Sequence, residues 1–358
     1  MIEPMEKYVV FLMIALASFS CAKEKQTLTE LDFSSQITSN PTKTSITDIA
    51  QSLDFIQLET SDSILIGNRI SHILMHNNFL FVVHGNKCSQ FDISGKFIRD
   101  IGRRGQGPGE YIYILEISIQ DNLLYMLDEA GRLFCYNMDG VLVNNIRLPK
   151  NYSSVFPEND HTFIGFQANI SGGEKYLLTY FDDKGMLTDS IYNMNQMKPS
   201  GKLVTIYSKE GCFFYGDNDK TYFKELVNDT IFEVTAEHKL EPRVKLNWGN
   251  SVVNLIDRMT DPNNFLSKEK VCPTEVFESK SFLFVKILFQ QQNSICYLDK
   301  TTNTCSNVVF TYTSKQQGNE EKTFAPLSIS TDLKCLLAYE QSDGEENPIV
   351  VIARLKEN

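Results

Sequence analysis

The densest chemistry in this 358-residue chain lies in Gly102-Arg103-Arg104-Gly105-Gln106-Gly107-Pro108-Gly109-Glu110-Tyr111. Two adjacent guanidiniums can grip a carboxylate or a sugar acid bidentately, and Glu110 can hold one of them in place. As a phosphate loop the stretch fails. No Lys-Ser/Thr pair closes it, and Pro108 followed by a strand leaves no helix N-terminus for an anion. The plainer reading is a glycine-rich link whose free dihedrals carry the chain from one sheet to the next. His84 in His84-Gly85-Asn86-Lys87, and Asp128, Glu129 and Arg132 in Asp128-Glu129-Ala130-Gly131-Arg132, could also hold a ligand or move a proton. Each has an ordinary account as a turn residue in a solvated loop.

Catalytic constellations are sparse. Of five histidines only His72 and His76 share a helical spacing, yet the residues between them, Ile73-Leu74-Met75, read as strand, and no His-Glu-x-x-His motif occurs. No Gly-x-Ser-x-Gly elbow presents a serine. The acidic pairs Asp182-Asp183 and Glu345-Glu346 fall at turns. No catalytic residue, metal ligand or cofactor is therefore assigned, and a divalent ion such as calcium in a central channel stays open. Besides Cys21 there are seven cysteines, an odd number without framework spacing. Cys296 and Cys305 flank a turn near Lys300-Thr301, so a disulfide across that hairpin is the one pairing expected. Asp62-Ser63-Ile64, Asp189-Ser190-Ile191 and Asp229-Thr230-Ile231 match a short Asp-Ser/Thr-apolar pattern for O-glycosylation.

Strands must position these groups. After Ile46 almost every apolar run is four to seven residues long, rich in Val, Ile, Phe, Tyr and Leu, and broken by Gly, Asn and Asp. The best helix candidate, around Val252 to Met259, is short. Phe79-Leu80-Phe81-Val82-Val83, Cys88-Ser89-Gln90-Phe91-Asp92, Ser94-Gly95 and Lys96-Phe97-Ile98 make a unit that recurs from Leu123 to Val143. Gly95, Gly140 and Gly185 mark its turns about 45 residues apart. Four-stranded units at that period are the mark of a propeller, in which each blade buries its faces against its neighbours. The expected fold is all-β, a six-bladed β-propeller, with seven blades as the alternative. Blades are expected near 65–101, 112–148, 160–193, 203–247, 276–311 and 322–355, with an insertion near 248–275. The lone early strand Leu53–Leu58 then pairs with the last blade and closes the ring.

The first twenty residues stand apart from the fold. Tyr8 to Phe19 is apolar and uncharged, too short to span a bilayer comfortably and suited to the core of a signal peptide. Ser18-Phe19-Ser20-Cys21 resembles a loose lipobox, in which Cys21 is acylated and becomes the mature N-terminus. Residues 1–20 are expected to be a signal peptide, 21–45 a lipidated flexible tether, and 46–358 the propeller domain. Lys+Arg number 34 against Asp+Glu 45, a net charge of -11 that disfavours nucleic-acid binding.

The stretch from Phe79 through Phe91-Asp92-Ile93-Ser94-Gly95-Lys96-Phe97 to Gly107-Pro108-Gly109-Glu110-Tyr111 resembles an NHL-type propeller repeat. With the lipobox, Ile56-Gln57-Leu58-Glu59-Thr60 and Asn228-Asp229-Thr230-Ile231-Phe232 before Trp248-Gly249, the chain is similar to the six-bladed β-propeller lipoproteins of Bacteroidetes. That resemblance implies an exported propeller without a settled activity. The expectation is a protein of the cell envelope, held to the outer membrane by its lipid alone, that binds a small molecule, a glycan or an envelope protein through one channel face. A metal-assisted hydrolase of lactonase-like type, and a scaffold in a surface complex, are the alternatives. Candidate contacts are His84, Arg103, Arg104, Glu110, Asp128 and Arg132.

Overall fold

The computed structural model describes residues 28–357 apart from 68, 159–160, 197–210, 254–255, 257–268, 317 and 343–344. Three N-terminal strands, β1 (Thr29–Asp32), β2 (Thr42–Ser45) and β3 (Ala50–Gln57), precede a succession of antiparallel sheets. Blade 1 is β4 (Ile70–His76), β5 (Phe79–His84), β6 (Lys87–Asp92) and β7 (Phe97–Ile101). Blade 2 is β8 (Ile114–Gln120), β9 (Leu123–Asp128), β10 (Arg132–Asn137) and β11 (Leu142–Arg147). Blade 3 comprises β12 (Ser154–Pro157), β13 (Phe163–Phe166), β14 (Tyr176–Phe181) and β15 (Leu187–Tyr192). Blade 4 comprises β16 (Gly211–Tyr215), β17 (Thr221–Glu225), β18 (Thr230–Val234) and β19 (Leu240–Asn247). In blade 5 the strands are β20 (Cys272–Glu278), β21 (Phe282–Phe289), β22 (Gln292–Asp299) and β23 (Thr304–Thr313), with β24 (Glu321–Thr323) paired to β23. Blade 6 is β25 (Ser328–Ile329), β26 (Cys335–Glu340), β27 (Ile349–Leu355) and, outermost, β3. The inner strands β4, β8, β12, β16, β20 and β25 each touch the next, and β25 returns to β4. The fold is a six-bladed β-propeller.

The long apolar runs in the middle strands follow from this geometry, because both faces of a blade are covered. On β5, Leu80 and Val82 pack into the core shared with blade 6, while Phe81 and Val83 pack into the core shared with blade 2. On β9, Leu124 and Met126 face blade 1 and Tyr125 and Leu127 face blade 3. Six hydrophobic clusters fill the six seams between blades. The turn glycines hold each blade on the preceding one. Gly95 and Gly185 have φ of 89° and 79°, and a Cβ there would lie 2.0 Å from the Gln57 carbonyl oxygen and 2.1 Å from that of Arg147. Any side chain would push the blades apart.

Ring closure follows the expected route. β3 pairs antiparallel with β27, from Ile349 opposite Gln57 to Leu355 opposite Ala50. The segment assigned to a flexible tether is corrected in part. Within it, β1 runs parallel to β19 on the edge of blade 4, and β2 parallel to β23 on the edge of blade 5. Leu31 and Phe33 are buried, with Phe33 stacked on Trp248 at 5.3 Å. The N-terminal segment is therefore a belt that covers two successive outer edges before completing blade 6. Polar strands such as Thr42-Lys43-Thr44-Ser45 carry no apolar signature, but backbone pairing with an unpaired edge suffices to hold them.

Boundaries also move: blade 6, expected from 322, begins at Ser328, because Glu321–Thr323 pair with β23 of blade 5. Blade 3 begins at Ser154 and blade 5 at Cys272, each earlier than the periodicity placed it, because Pro157 and Pro273 interrupt the strand pattern of these inner strands. The expected insertion thereby loses its last residues to β20. Gly249–Ser251 form one short 3-10 turn, and the helix expected around Val252 to Met259 falls largely outside the described residues.

Candidate functional site

Two kinds of connection gather on one face of the ring, here the link face: the inter-blade links and the loops joining the second strand of each blade to its third. On it, Asn86 in the loop of blade 1 donates to the Ile112 carbonyl at 2.7 Å and accepts from the Ile114 N–H at 2.8 Å. This clamps the link between blades 1 and 2. The same link is held from its other side by Asp128, whose Oδ1 accepts from the Ile112 and Tyr113 N–H groups, both at 2.9 Å. The second oxygen of Asp128 accepts from Arg132 Nε at 3.3 Å and Nη2 at 3.1 Å. The Asp128 carboxylate is fully buried and its acceptor positions are filled, so it acts as a brace. Arg132 is committed in the same way, with its guanidinium also 5.0 Å from the Phe134 ring centre.

His84 is buried as well. Its Nε2 lies 2.9 Å from Ser89 Oγ, and that hydroxyl donates to Asp100 Oδ1 at 2.6 Å. Burial lowers the pKa of the imidazole, and because the Ser89 hydroxyl gives its proton to Asp100, it is His84 Nε2–H that donates to the serine. The three residue types are those of a hydrolase triad, but their order is wrong. Here the serine stands between histidine and carboxylate, is wholly buried, and gives its proton to Asp100, leaving no base to activate it.

The Gly102–Tyr111 link behaves differently. Arg103 Nε pairs with Glu110 Oε1 at 3.1 Å while the Arg103 side chain is 83% exposed. Glu110 Oε2 accepts from the Gly107 N–H at 2.8 Å, and its carboxylate occupies the space that a Cβ on Gly105 would need. Backbone bonds from Gly105 N–H to the Tyr111 carbonyl at 2.9 Å, and from Tyr111 N–H to the Arg103 carbonyl at 3.1 Å, close the loop on itself. Tyr111 is buried beneath it. The loop is thus rigid and presents Arg103 and Arg104 outward, and Arg104 forms no ion pair with a described residue. Ile112, Tyr113 and Leu115 follow it at the entry to the inner strand, all exposed. Sequence reasoning missed these three; their signal was the apolar run directly after Gly-Pro-Gly-Glu-Tyr.

Elsewhere the polar groups of the ring are spent on structure. His76 bonds Thr331 Oγ1 at 2.8 Å and Asn122 Oδ1 at 2.9 Å, tying blade 1 to blades 6 and 2. Four residues along a strand separate His72 from His76 by about 13 Å, too far to share a metal. In the channel wall, Ser154 Oγ–H donates to Glu116 Oε2 at 2.7 Å. Lys224 is buried in the seam between blades 4 and 5, beside Cys212 and Pro273, and burial pushes its pKa down to about 8. Its ammonium donates to the Glu225 and Asn228 carbonyls. Among the described residues no three His, Cys, Asp or Glu side chains converge as metal ligands.

The expected Cys296–Cys305 pairing is corrected by the register. Cys296 lies opposite Asn307 and Cys305 opposite Leu298, so the two thiols are not partners across the hairpin, and both are free. Of the three Asp-Ser/Thr-apolar sites, Ser63 is exposed on the link between blades 6 and 1, and Ser190 is half-buried on an outer strand. Thr230 is half-buried with its hydroxyl donated to Asp229 at 3.2 Å.

Residues 28–354 match the family model described as Domain of unknown function (DUF4934). No curated protein matches the sequence. Among solved structures, a Bacteroides fragilis protein named for inferred export is similar at a TM-score of 0.68 and 20% identity, over 92% of this chain and 100% of that one. A member of the DUF4221 family from Bacteroides vulgatus is similar at a TM-score of 0.54 and 9% identity, over 85% of this chain and 96% of that one. At these identities the likeness is one of fold.

Proposed function

We propose that this chain, which belongs to the DUF4934 family and is built as a β-propeller, works outside the cytoplasm as a lipid-anchored binding protein whose link face takes an anionic ligand. Export and acylation rest on the apolar run Tyr8–Phe19 and on Cys21, the residue that would carry the lipid and hold the protein to the outer membrane. Binding rests on one observation: two adjacent guanidiniums stand exposed on a loop that is already rigid. A rigid loop forfeits little conformational entropy when it binds, so its contacts count almost in full toward affinity. Tyr113, Ile112 and Leu115 supply apolar surface beside the charge. The ligand class is then a carboxylate next to an apolar or ring-shaped surface, as in an acidic glycan, a small organic acid or an acidic segment of an envelope protein.

The discriminating experiment is a thermal-shift and calorimetric screen of sugar acids, aromatic carboxylates and acidic peptides against the natural protein and the double variant Arg103→Ala/Arg104→Ala. A charge-assisted pair is worth roughly 1.5–3 kcal/mol, so the variant is expected to bind about 10-fold to 100-fold more weakly. Both side chains are surface groups, so the variant's own stability is expected to stay within about 0.5 kcal/mol of the natural protein. Equal affinity of both proteins for every carboxylate that binds would remove the arginines from the site.

A further inference from the structure

The outer edges of the ring are not alike. Blades 4 and 5 carry β1 and β2 beyond their fourth strands, while the outermost strands of the other four blades, β3, β7, β11 and β15, have no described strand beyond them. The exposed large apolar side chains of the rim gather on one arc of it. Val141, Leu142 and Val143 lie on blade 2, Met186, Leu187 and Tyr192 on blade 3, Met194 just after it, and Leu28 at the edge of blade 4. Among the described residues none lies on the outermost strands of blades 5, 6 or 1, although Leu65 is exposed on the link after blade 6. Exposed apolar side chains gathered on neighbouring blades, here interleaved with the exposed Asn145, Arg147 and Asp189, mark an interaction surface.

The chain's own connection identifies the occupant. β1 begins at Thr29 on the edge of blade 4, beside this patch. Seven residues lie between Cys21 and Thr29, and the eight steps from one to the other span at most about 26–29 Å. An acyl chain on Cys21 therefore keeps the blade 4 edge within that distance of the bilayer, with blade 3 next to it. Aliphatic tips and a tyrosine are side chains that settle at a membrane–water interface, where the strand edges keep their water. We infer that the exposed apolar rim of blades 2 to 4 rests on the lipid bilayer, so that the ring stands on edge with its two faces open to solvent. This rests on the reading of Cys21 as the anchor.

Tryptophan emission tests it. Trp248 is the only native tryptophan and is 2% exposed, so it gives a constant background. The full chain, expressed with its leader, is reconstituted in phosphatidylethanolamine–phosphatidylglycerol vesicles containing brominated lipid, as the variants Val143→Trp, Leu187→Trp and, on the rim of blade 5, Lys43→Trp. Quenching at 143 and 187 is expected to exceed that at 43 by about twofold or more, since bromines on the acyl chains reach only inserted or interfacial rings. Equal quenching at all three positions, or none at 143 and 187, overturns the inference. So does blue-shifted emission at 143 and 187 that appears without lipid as protein concentration rises, which would assign the rim to a second copy. Intact-mass measurement of Cys21 reports on the anchor separately. Acylated protein with an unquenched rim refutes the inference and leaves the anchor standing. Unacylated protein whose rim is still quenched refutes the anchor and leaves the inference standing.

Discussion

Replacing Asn347 with alanine will lower the unfolding free energy by about 3–5 kcal/mol, because three buried backbone groups lose their partner at once and each orphan costs about 1–3 kcal/mol. Asn347 is wholly buried at the seam where the ring closes. Its Oδ1 accepts from the Ile66 N–H at 2.6 Å, and its Nδ2 donates to the Glu59 carbonyl at 2.5 Å and the Ile64 carbonyl at 3.1 Å. Its own N–H donates to Thr60 Oγ1 at 2.7 Å, and its carbonyl accepts from Gln57 Nε2 at 2.5 Å. One side chain from the last blade thus fixes the whole link into the first. Asn86 does the same for the link after blade 1, and Asn169 donates to the Asn195 carbonyl in the link after blade 3 at 3.1 Å. Of these three asparagines Asn347 alone joins segments nearly three hundred residues apart, so its loss loosens the ring where no covalent neighbour compensates. The exposed Asn145 on the rim serves as the control, with an expected change within about 0.5 kcal/mol. Denaturant titration of the two variants decides; a cost for Asn347→Ala below about 1 kcal/mol would mean that the seam rests on β3–β27 pairing alone.

How much of this was legible in the sequence depended on whether a local pattern carried it. Gly95, Gly140 and Gly185 reported the blade period because each turn demands a left-handed residue at the same place. The pairing of β3 with β27 was legible because an apolar strand at one end of the chain had no neighbour. The exposed arginines were legible as an unusual adjacent pair. Asp128 and His84 were found as groups able to do chemistry, but their commitments were not. Asp128 faces two backbone N–H groups sixteen and fifteen residues away, and His84 is sealed by the packing of blade 1. Nothing in residue type distinguishes a ligand-binding carboxylate from one that caps a link. The belt was hidden for a different reason. Four-residue polar strands are held by backbone bonds to an edge, and only Leu31 and Phe33 betrayed that the segment is anchored.

The seam between blades 4 and 5 carries the second large effect. Glu278, at the end of β20, is wholly buried, yet it faces two cations. Arg243 donates Nη1 to Oε2 and Nη2 to Oε1, both at 2.7 Å, and its guanidinium lies 3.9 Å from the Tyr222 ring centre. Lys300 Nζ sits 2.7 Å from Oε1 and 3.4 Å from Asp217 Oδ2, and donates to the Ser279 carbonyl at 2.7 Å. Gly216 directly follows β16; a Cβ there would stand 2.4 Å from the Tyr222 ring and 2.9 Å from Glu278 Oε2, so the approach requires glycine. Two cations and two carboxylates balance, and three strands meet through one side chain. Glu278→Ala removes the carboxylate shared by both cations and is expected to cost about 3–5 kcal/mol, the range for stripping one member from a buried ion pair. Arg243→Met should cost less, since Glu278 keeps Lys300 and the methionine still covers Tyr222. The difference between the two variants is the informative quantity. Added salt should change it little, because charges shut away from solvent are weakly screened. If Glu278→Ala proves no worse than Arg243→Met, the carboxylate is not the hub, and the seam depends on the apolar cluster around Trp248, Val276 and Val285 instead.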